Sequence, residues 1–166
     1  SRGEKALVFL EDRAMQKIFA ACVAEHFHLH ARPPIINGEM AGRQRLQAVD
    51  GFQAGPTGFD LLILSPKAAG IGLTITAANH VIHLSRWWNP AVEDQCNDRA
   101  FRIGQTKDVT IHLPMAIHPT YGEASFDDKL NSLLERKRTL SRDMLAPPTS
   151  AGDIGDLFAG TVQHDS

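Results

Sequence analysis

Cysteine is scarce: Cys22 and Cys96 are the only two. Two cannot build a disulfide framework, and they lack metal-ligand spacing, so a reducing, cytosolic setting fits better than a secreted one. Long apolar runs are missing as well. Ile71 to Ala78 stops well short of the roughly 20 residues of a membrane span, and no signal peptide opens the chain. Neither charge sign dominates, since 17 Lys and Arg face 19 Asp and Glu for a net of -2. Bulk charge therefore gives no hold on polyanions, although a local basic patch stays open. No internal repeat is found. No Gly-x-x-x-x-Gly-Lys-Ser/Thr phosphate loop occurs, and no Asp-Glu pair follows a buried strand to hold magnesium. Ser85, His83 and Asp94 offer hydrolase residue types without the Gly-x-Ser-x-Gly elbow that would expose a nucleophile.

What remains is a composition with 43% hydrophobic and 22% charged residues over 166 positions, that of a globular protein of one ordinary domain. The strand-like Lys5–Leu10 comes almost at once, as if the chain were cut from something longer. Asp12 is placed to cap a helix from about Arg13 to His26, with Ile18, Phe19, Cys22 and Val23 at helical spacing. Ile35–Asn37 reads as a short strand and Gly42–Gln53 as a polar helix. Phe59–Ser65 is a second buried strand, Gly70 and Gly72 open a short helix ending near Ala78, and Val81–Leu84 is a third strand. Pro90 suits the first turn of a helix from Ala91 to about Phe101, before a last strand, Val109–Leu113. This alternation predicts an α/β fold, a mostly parallel sheet with helices on both faces. Further on, Ser125 and Asp128 make a capping-box-like pair. Phe126, Leu130, Leu133, Leu134, Leu140 and Met144 form a helical stripe, with Arg136-Lys137-Arg138 largely off it. The expected division is a sheet domain over 1–115, a linker and helix over 116–146, and a flexible tail over 147–166 that holds Ile154, Leu157 and Phe158.

Two constellations carry chemistry. Gln95 to Gln105 sets Arg99 and Arg102 three apart, expected on one helical face. Such a pair suits a phosphate clamp, or equally a surface pair bridging Glu93, Asp94 or Asp98. Ser65 to Thr76 carries a strand into a glycine-bearing turn, where free backbone N–H groups can hold a phosphate beside Lys67 and Thr74. The same turn also serves simply to pack a helix on a sheet. A Rossmann fingerprint fails, since Ile75 stands where glycine is needed. Trp87 and Trp88 can stack on a base or anchor packing, and Arg136–Arg138 with Lys129 and Arg142 can track phosphates or simply face water. His26, His28 and His30 alternate, so they can face one side of an extended segment and bind zinc or make up a solvated helix end.

Taken together these segments resemble the C-terminal RecA-like lobe of Swi/Snf-type ATPases, within helicase superfamily two. Ala6–Leu10 looks like motif IV, and Asn37-Gly38 with Arg43 and Phe52 is similar to the segment after it. Ser65–Thr76 resembles motif V, and Trp88-Asn89-Pro90 with Gln95, Arg99 and Arg102-Ile-Gly-Gln105 resembles motif VI. Ser125–Leu145 looks like the family's brace-type helix. The chain departs from the family's usual wording at Ala69, Thr74 and Phe101, wording that fits bacterial members.

The resemblance implies the second motor lobe of an ATP-dependent double-stranded DNA translocase or remodeller. ATP and Mg²⁺ would be held mainly by an N-terminal RecA-like lobe. Arg99 and Arg102 would reach the nucleotide as catalytic fingers, with Gln95, Gly72 and Gln105 in the ATP cleft. Lys67, Gly70, Gly72, Thr74 and Trp88 would meet DNA. A DNA-bound protein is the implied target, and the implied setting is cytoplasmic, on the nucleoid if the source is bacterial. By itself this fragment is expected to be inactive and to bind no cofactor tightly. A non-catalytic nucleic-acid or protein-binding module on the same fold is the alternative.

Overall fold

The computed structural model describes residues 3–56, 58–69 and 72–145. Gly70, the expected 147–166 tail with its apolar residues, and the side chain of Met144 lie outside them. Five strands, β1 (Lys5–Phe9), β2 (Ile35–Ile36), β3 (Asp60–Leu64), β4 (His80–His83) and β5 (Thr110–His112), form one sheet in the order β2-β3-β1-β4-β5. Every neighbouring pair is parallel, with Leu7 level with both Leu62 and Val81. This is the RecA-like arrangement expected from the alternating strands and helices.

The helices are α1 (Arg13–His26), α2 (Gly42–Ala54), α3 (Pro66–Ala69), α4 (Pro90–Asn97) and α5 (Phe126–Leu145). Leu7, Phe9, Leu62, Leu64 and Val81 point to one face, against Val49 and Phe52 of α2 and Cys96 of α4. Ala6, Val8, Leu61 and Ile63 point to the other, against Ala20 of α1. The reversal between β1-to-β2 and β2-to-β3 travel, with right-handed crossovers, puts α1 and α2 on opposite faces. Each fully buried aliphatic side chain contributes about 1.5–3 kcal/mol. Lys5 is buried too; its ammonium donates to the carbonyls of Phe52 and Gly55, satisfying the C-terminal end of α2.

Several expectations are corrected. Among the described residues no helix opens at Gly72: α3 comes earlier in the chain, and residues 72–75 carry no regular structure. Helix α4 ends at Asn97, so Arg99 and Arg102 lie in the turns after it and share no helical face. Asp12 does cap α1, accepting from Met15 N–H at 2.7 Å, but the buried face is Gln16, Ala20 and Val23, while Ile18 and Cys22 are exposed. Gln16 can sit there because its amide donates to the Leu10 carbonyl and accepts from Asn37. Ser125 does not form the expected box: its hydroxyl accepts from His118 N–H and donates to the Gly122 carbonyl, tying down the preceding loop. Along α5, Leu130 and Leu134 are buried, while Phe126 and Leu140 are exposed. Among the described residues no helix is long and apolar enough to cross a membrane.

Candidate functional site

Arg99 leaves the end of α4 only 8% exposed. Its Nε donates to the Gln95 carbonyl at 3.1 Å and its Nη1 to the Leu73 carbonyl at 3.2 Å. Two of the five guanidinium donors thus fix the side chain to backbone on both sides. The Ile75 N–H in turn donates to the Arg99 carbonyl at 2.8 Å. Arg102, by contrast, is exposed. Gly72, Asp98, Arg99, Phe101 and Arg102 line one open cleft of about 370 Å³. Gly72 holds φ at +67°, a backbone that L side chains rarely adopt, and the space a Cβ would occupy is empty. Among the described residues lining this cleft Asp98 is the one carboxylate, so the set fits the charge of phosphate oxygens and not that of a divalent cation.

Gln105 does not line that cleft but borders another, of about 480 Å³, with Phe101, Arg102, Ile103 and Lys107. Its amide nitrogen donates to the carbonyls of Thr76 at 3.0 Å, Ala78 at 2.7 Å and Ala100 at 3.1 Å, and its oxygen accepts from Lys107 N–H at 2.9 Å. Gly104 supplies the preceding bend at φ +102°. The Arg-Ile-Gly-Gln ending is therefore a clasp joining the turns after α4 to the strand leading into β4. Gln95 is exposed on α4, and its carbonyl rather than its amide engages Arg99.

Lys67 sits over the Trp87 ring at 5.4 Å and pairs with Glu11 at 3.3 Å. It lines a second cleft, of about 200 Å³, with Glu11, Arg13, Asn37, Gly38, Arg45 and Ser65. This cleft gathers the chain leaving β1, β2 and β3, and within it Glu11 Oε2 and Arg45 Nε are buried with no hydrogen-bond partner among the described residues. Arg45, not the Arg43 singled out from sequence, is the buried one; it donates to the Met40 carbonyl at 3.0 Å. Thr74 is half-buried, and Trp88 is 58% exposed beside Phe126. The structure thus joins Gly72 with Arg99 and Arg102, and holds Lys67 and Trp88 apart from them.

The sequence reading missed Glu93, which is 2% exposed. Arg86 Nε donates to it at 2.8 Å, Trp87 N–H at 3.2 Å and Arg138 Nη2 at 2.9 Å. Burial pushes its carboxyl up, but the bonds from Arg86, Trp87 and Arg138 outweigh that and hold it below the usual range. Arg138 also reaches Asp94 at 3.3 Å and Glu135 at 2.9 Å. The acids offered as surface partners for Arg99 and Arg102 thus include two, Glu93 and Asp94, that pair with Arg86 and Arg138 instead, and Arg138 is no wet-face residue. The signal available was the Glu93-Asp94 pair at the start of a short helix, one position of which must face the core. Burial lowers the His83 pKa, partly offset by the Nε2–H bond to Asn97 at 2.8 Å, and pushes the Cys96 thiol up to about 12, which makes it inert. Among the described residues no group of three His, Cys, Asp or Glu side chains could hold a metal.

Residues 1–104 match the family of the helicase conserved C-terminal domain. The chain is 42% identical over 95% of its length to the Zorya protein ZorD of Escherichia coli O139:H28, and 36% identical over 87% to the ATP-dependent helicase/translocase YwqA of Bacillus subtilis, described as putative in its name. It spans 15% of each of these relatives. The SWI2/SNF2 ATPase core of Sulfolobus solfataricus, solved in complex with dsDNA, matches with a TM-score of 0.63 and 33% identity over 86% of this chain and 28% of that one. With residues 1–104 matching that family and the all-parallel sheet matching a solved core, the chain belongs to the helicase C-terminal domain family, as a RecA-like lobe of the Swi2/Snf2 type.

Proposed function

We propose that this lobe is the second motor lobe of an ATP-dependent double-stranded DNA translocase or remodeller, and that it supplies Arg99 and Arg102 to ATP held chiefly by an N-terminal lobe. The observation that carries this reading is the cleft shared by Gly72, Arg99 and Arg102. Arg99 is fixed to two backbone carbonyls before any ligand arrives, so little reorganisation is needed as charge develops on a transferring phosphoryl group. Arg102 is exposed and free to meet a neighbouring lobe. Magnesium would neutralise the phosphates from the other side of the cleft, with its ligands supplied outside this chain. The DNA backbone would lie along Gly72, Thr74 and the Lys67 cleft, held by backbone N–H groups and charge, which makes binding salt-dependent and sequence-tolerant. The Sulfolobus core in complex with dsDNA supports this, and so do relatives named as ATP-dependent helicases. A DNA-bound protein is the target such a motor would displace, and the cytoplasm, on the nucleoid in a bacterium, is where it would work.

The test is kinetic. In the full-length protein Arg102→Ala should lower kcat by about 10³ or more with a smaller change in ATP KM, because fingers act on the transition state. Arg99→Ala should do the same and also lower the melting temperature. Arg102→Lys should not rescue, since a point charge cannot reproduce the planar fork. The 166-residue chain alone should neither turn over ATP nor bind it at micromolar affinity by titration calorimetry. Normal kcat with both arginines replaced would sink the finger assignment, whereas a full-length protein with no ATP turnover at all would leave the non-catalytic binding module as the reading.

A further inference from the structure

Helix α5 is tied to the lobe twice, in different ways. Its first half buries Leu130 and Leu134. Its second tie is ionic and runs entirely to α4 and the turn before it. Arg138 joins Glu93 and Asp94, Lys137 Nζ donates to the Trp88 carbonyl at 2.8 Å, and Arg86 bridges Glu93 to Asn131 at 3.0 Å. Residues 139–142 are exposed, and Arg138 is the half-buried charged residue of this half of the helix among the described residues. Glu93 stands on the same eight-residue helix whose Gln95 carbonyl holds Arg99 Nε. The far side of Arg99 is held by the Leu73 carbonyl, next to Gly72.

We propose that Arg138 is a positioning residue, coupling the docking of α5 to the placement of Arg99 through Glu93 and α4. The inference rests on the reading of Arg99 and Arg102 as fingers. With Arg138 in place, α4 is gripped at Glu93 and Asp94 and its end presents Arg99 in one position. With α5 released, Glu93 keeps Arg86 and the Trp87 N–H, so the buried carboxylate stays compensated and the lobe stays folded. What is lost is the second restraint on α4. A shift of α4 is passed on to Arg99, because packed interiors are stiff.

The experiment uses the full-length protein with Arg138→Gln, Arg138→Lys and Lys137→Ala. Arg138→Gln should lower kcat about tenfold, with ATP KM and DNA affinity within about twofold of wild type. Arg138→Lys should recover part of the loss, since an ammonium can meet Glu93 but not fork to Asp94 and Glu135 together. Lys137→Ala removes an exposed contact that cannot unfold the lobe, and should give a smaller kcat loss in the same direction. If Arg138→Gln fails to fold, Lys137→Ala decides alone. A lowered melting temperature with kcat within twofold of wild type makes Arg138 a structural staple and overturns the proposal. Arg99→Ala separates the two levels. If it abolishes turnover while the α5 variants run normally, only the coupling fails; if it leaves turnover normal, the finger reading fails first.

Discussion

Gln105 shows how much one amide can decide. Its nitrogen reaches three backbone carbonyls from two separate segments, and its oxygen takes the Lys107 N–H. A buried carbonyl left without a donor costs about 1–3 kcal/mol, so the clasp is worth more than any single surface contact nearby. Gln105→Glu keeps the shape and inverts the chemistry, setting a carboxylate against three carbonyl oxygens. The melting temperature of the 166-residue chain should drop by several degrees, and more than for Gln95→Glu, whose side chain is exposed. An equal, small shift for both would mean that the clasp carries no stability. The family resemblance put Gln105 in the ATP cleft, and glutamine's donors suit a nucleotide as well as they suit a carbonyl. Residue type alone does not distinguish the two, and only the backbone path does. Arg138 was hidden for a similar reason. A charged run on a helix usually faces water, and its burial here depends on Glu93, 45 positions away.

At the scale of elements, the strands and the bounds of α1 and α2 were legible, and the end of α4 was not. Continuous apolar runs such as Ala6–Leu10 and Leu61–Leu64 can belong only to strands covered on both faces, and the five strands fall where those runs and their short relatives lie. Pro90 marked the start of α4 correctly because a missing N–H costs nothing there, with Asn89 accepting from Ala91 N–H at 3.1 Å. Its end carried no such punctuation, and the chain turns after Asn97 to bring Arg99 under Leu73. The order at the glycine turn was not legible, since α3 precedes it. Gly72 permits a direct check. Its φ of +67° disfavours a β-branched residue, a cost of about 1–2 kcal/mol, while nothing lies within 4 Å of the Cβ. Gly72→Val should therefore leave the lobe folded, with a modest fall in melting temperature, and should weaken DNA-stimulated ATPase in the full-length protein. Unchanged stimulation would remove this turn from the DNA contacts.

For the molecule as a whole, stability and acid are linked through two groups behind the cleft. His83 is buried against Phe9, its ring centroid 5.4 Å away, and its pKa is lowered from 6.5 by burial, with the Asn97 bond opposing. The unfolded chain thus takes up a proton at a pH where the folded one does not. The stability tied to His83 is full above pH 6.5 and falls as pH drops below it, down to the lowered folded value. Glu93 works the same way at lower pH. Its folded pKa lies below the ordinary 4.5, where the bonds from Arg86 and Arg138 overcome burial, so its contribution is full above that value and is lost as pH falls through the folded one. Two stages of acid loss follow. The melting temperature of the 166-residue chain should hold near neutrality, begin to decline below the ordinary His83 value of 6.5, and fall further below 4.5. His83→Gln, which keeps an amide donor for Asn97, should flatten the first stage and leave the second. Arg138→Gln should move the second stage to higher pH, because one of the bonds that hold Glu93 charged is gone. A single acid transition that neither substitution shifts would mean that these buried groups do not govern the lobe's pH response.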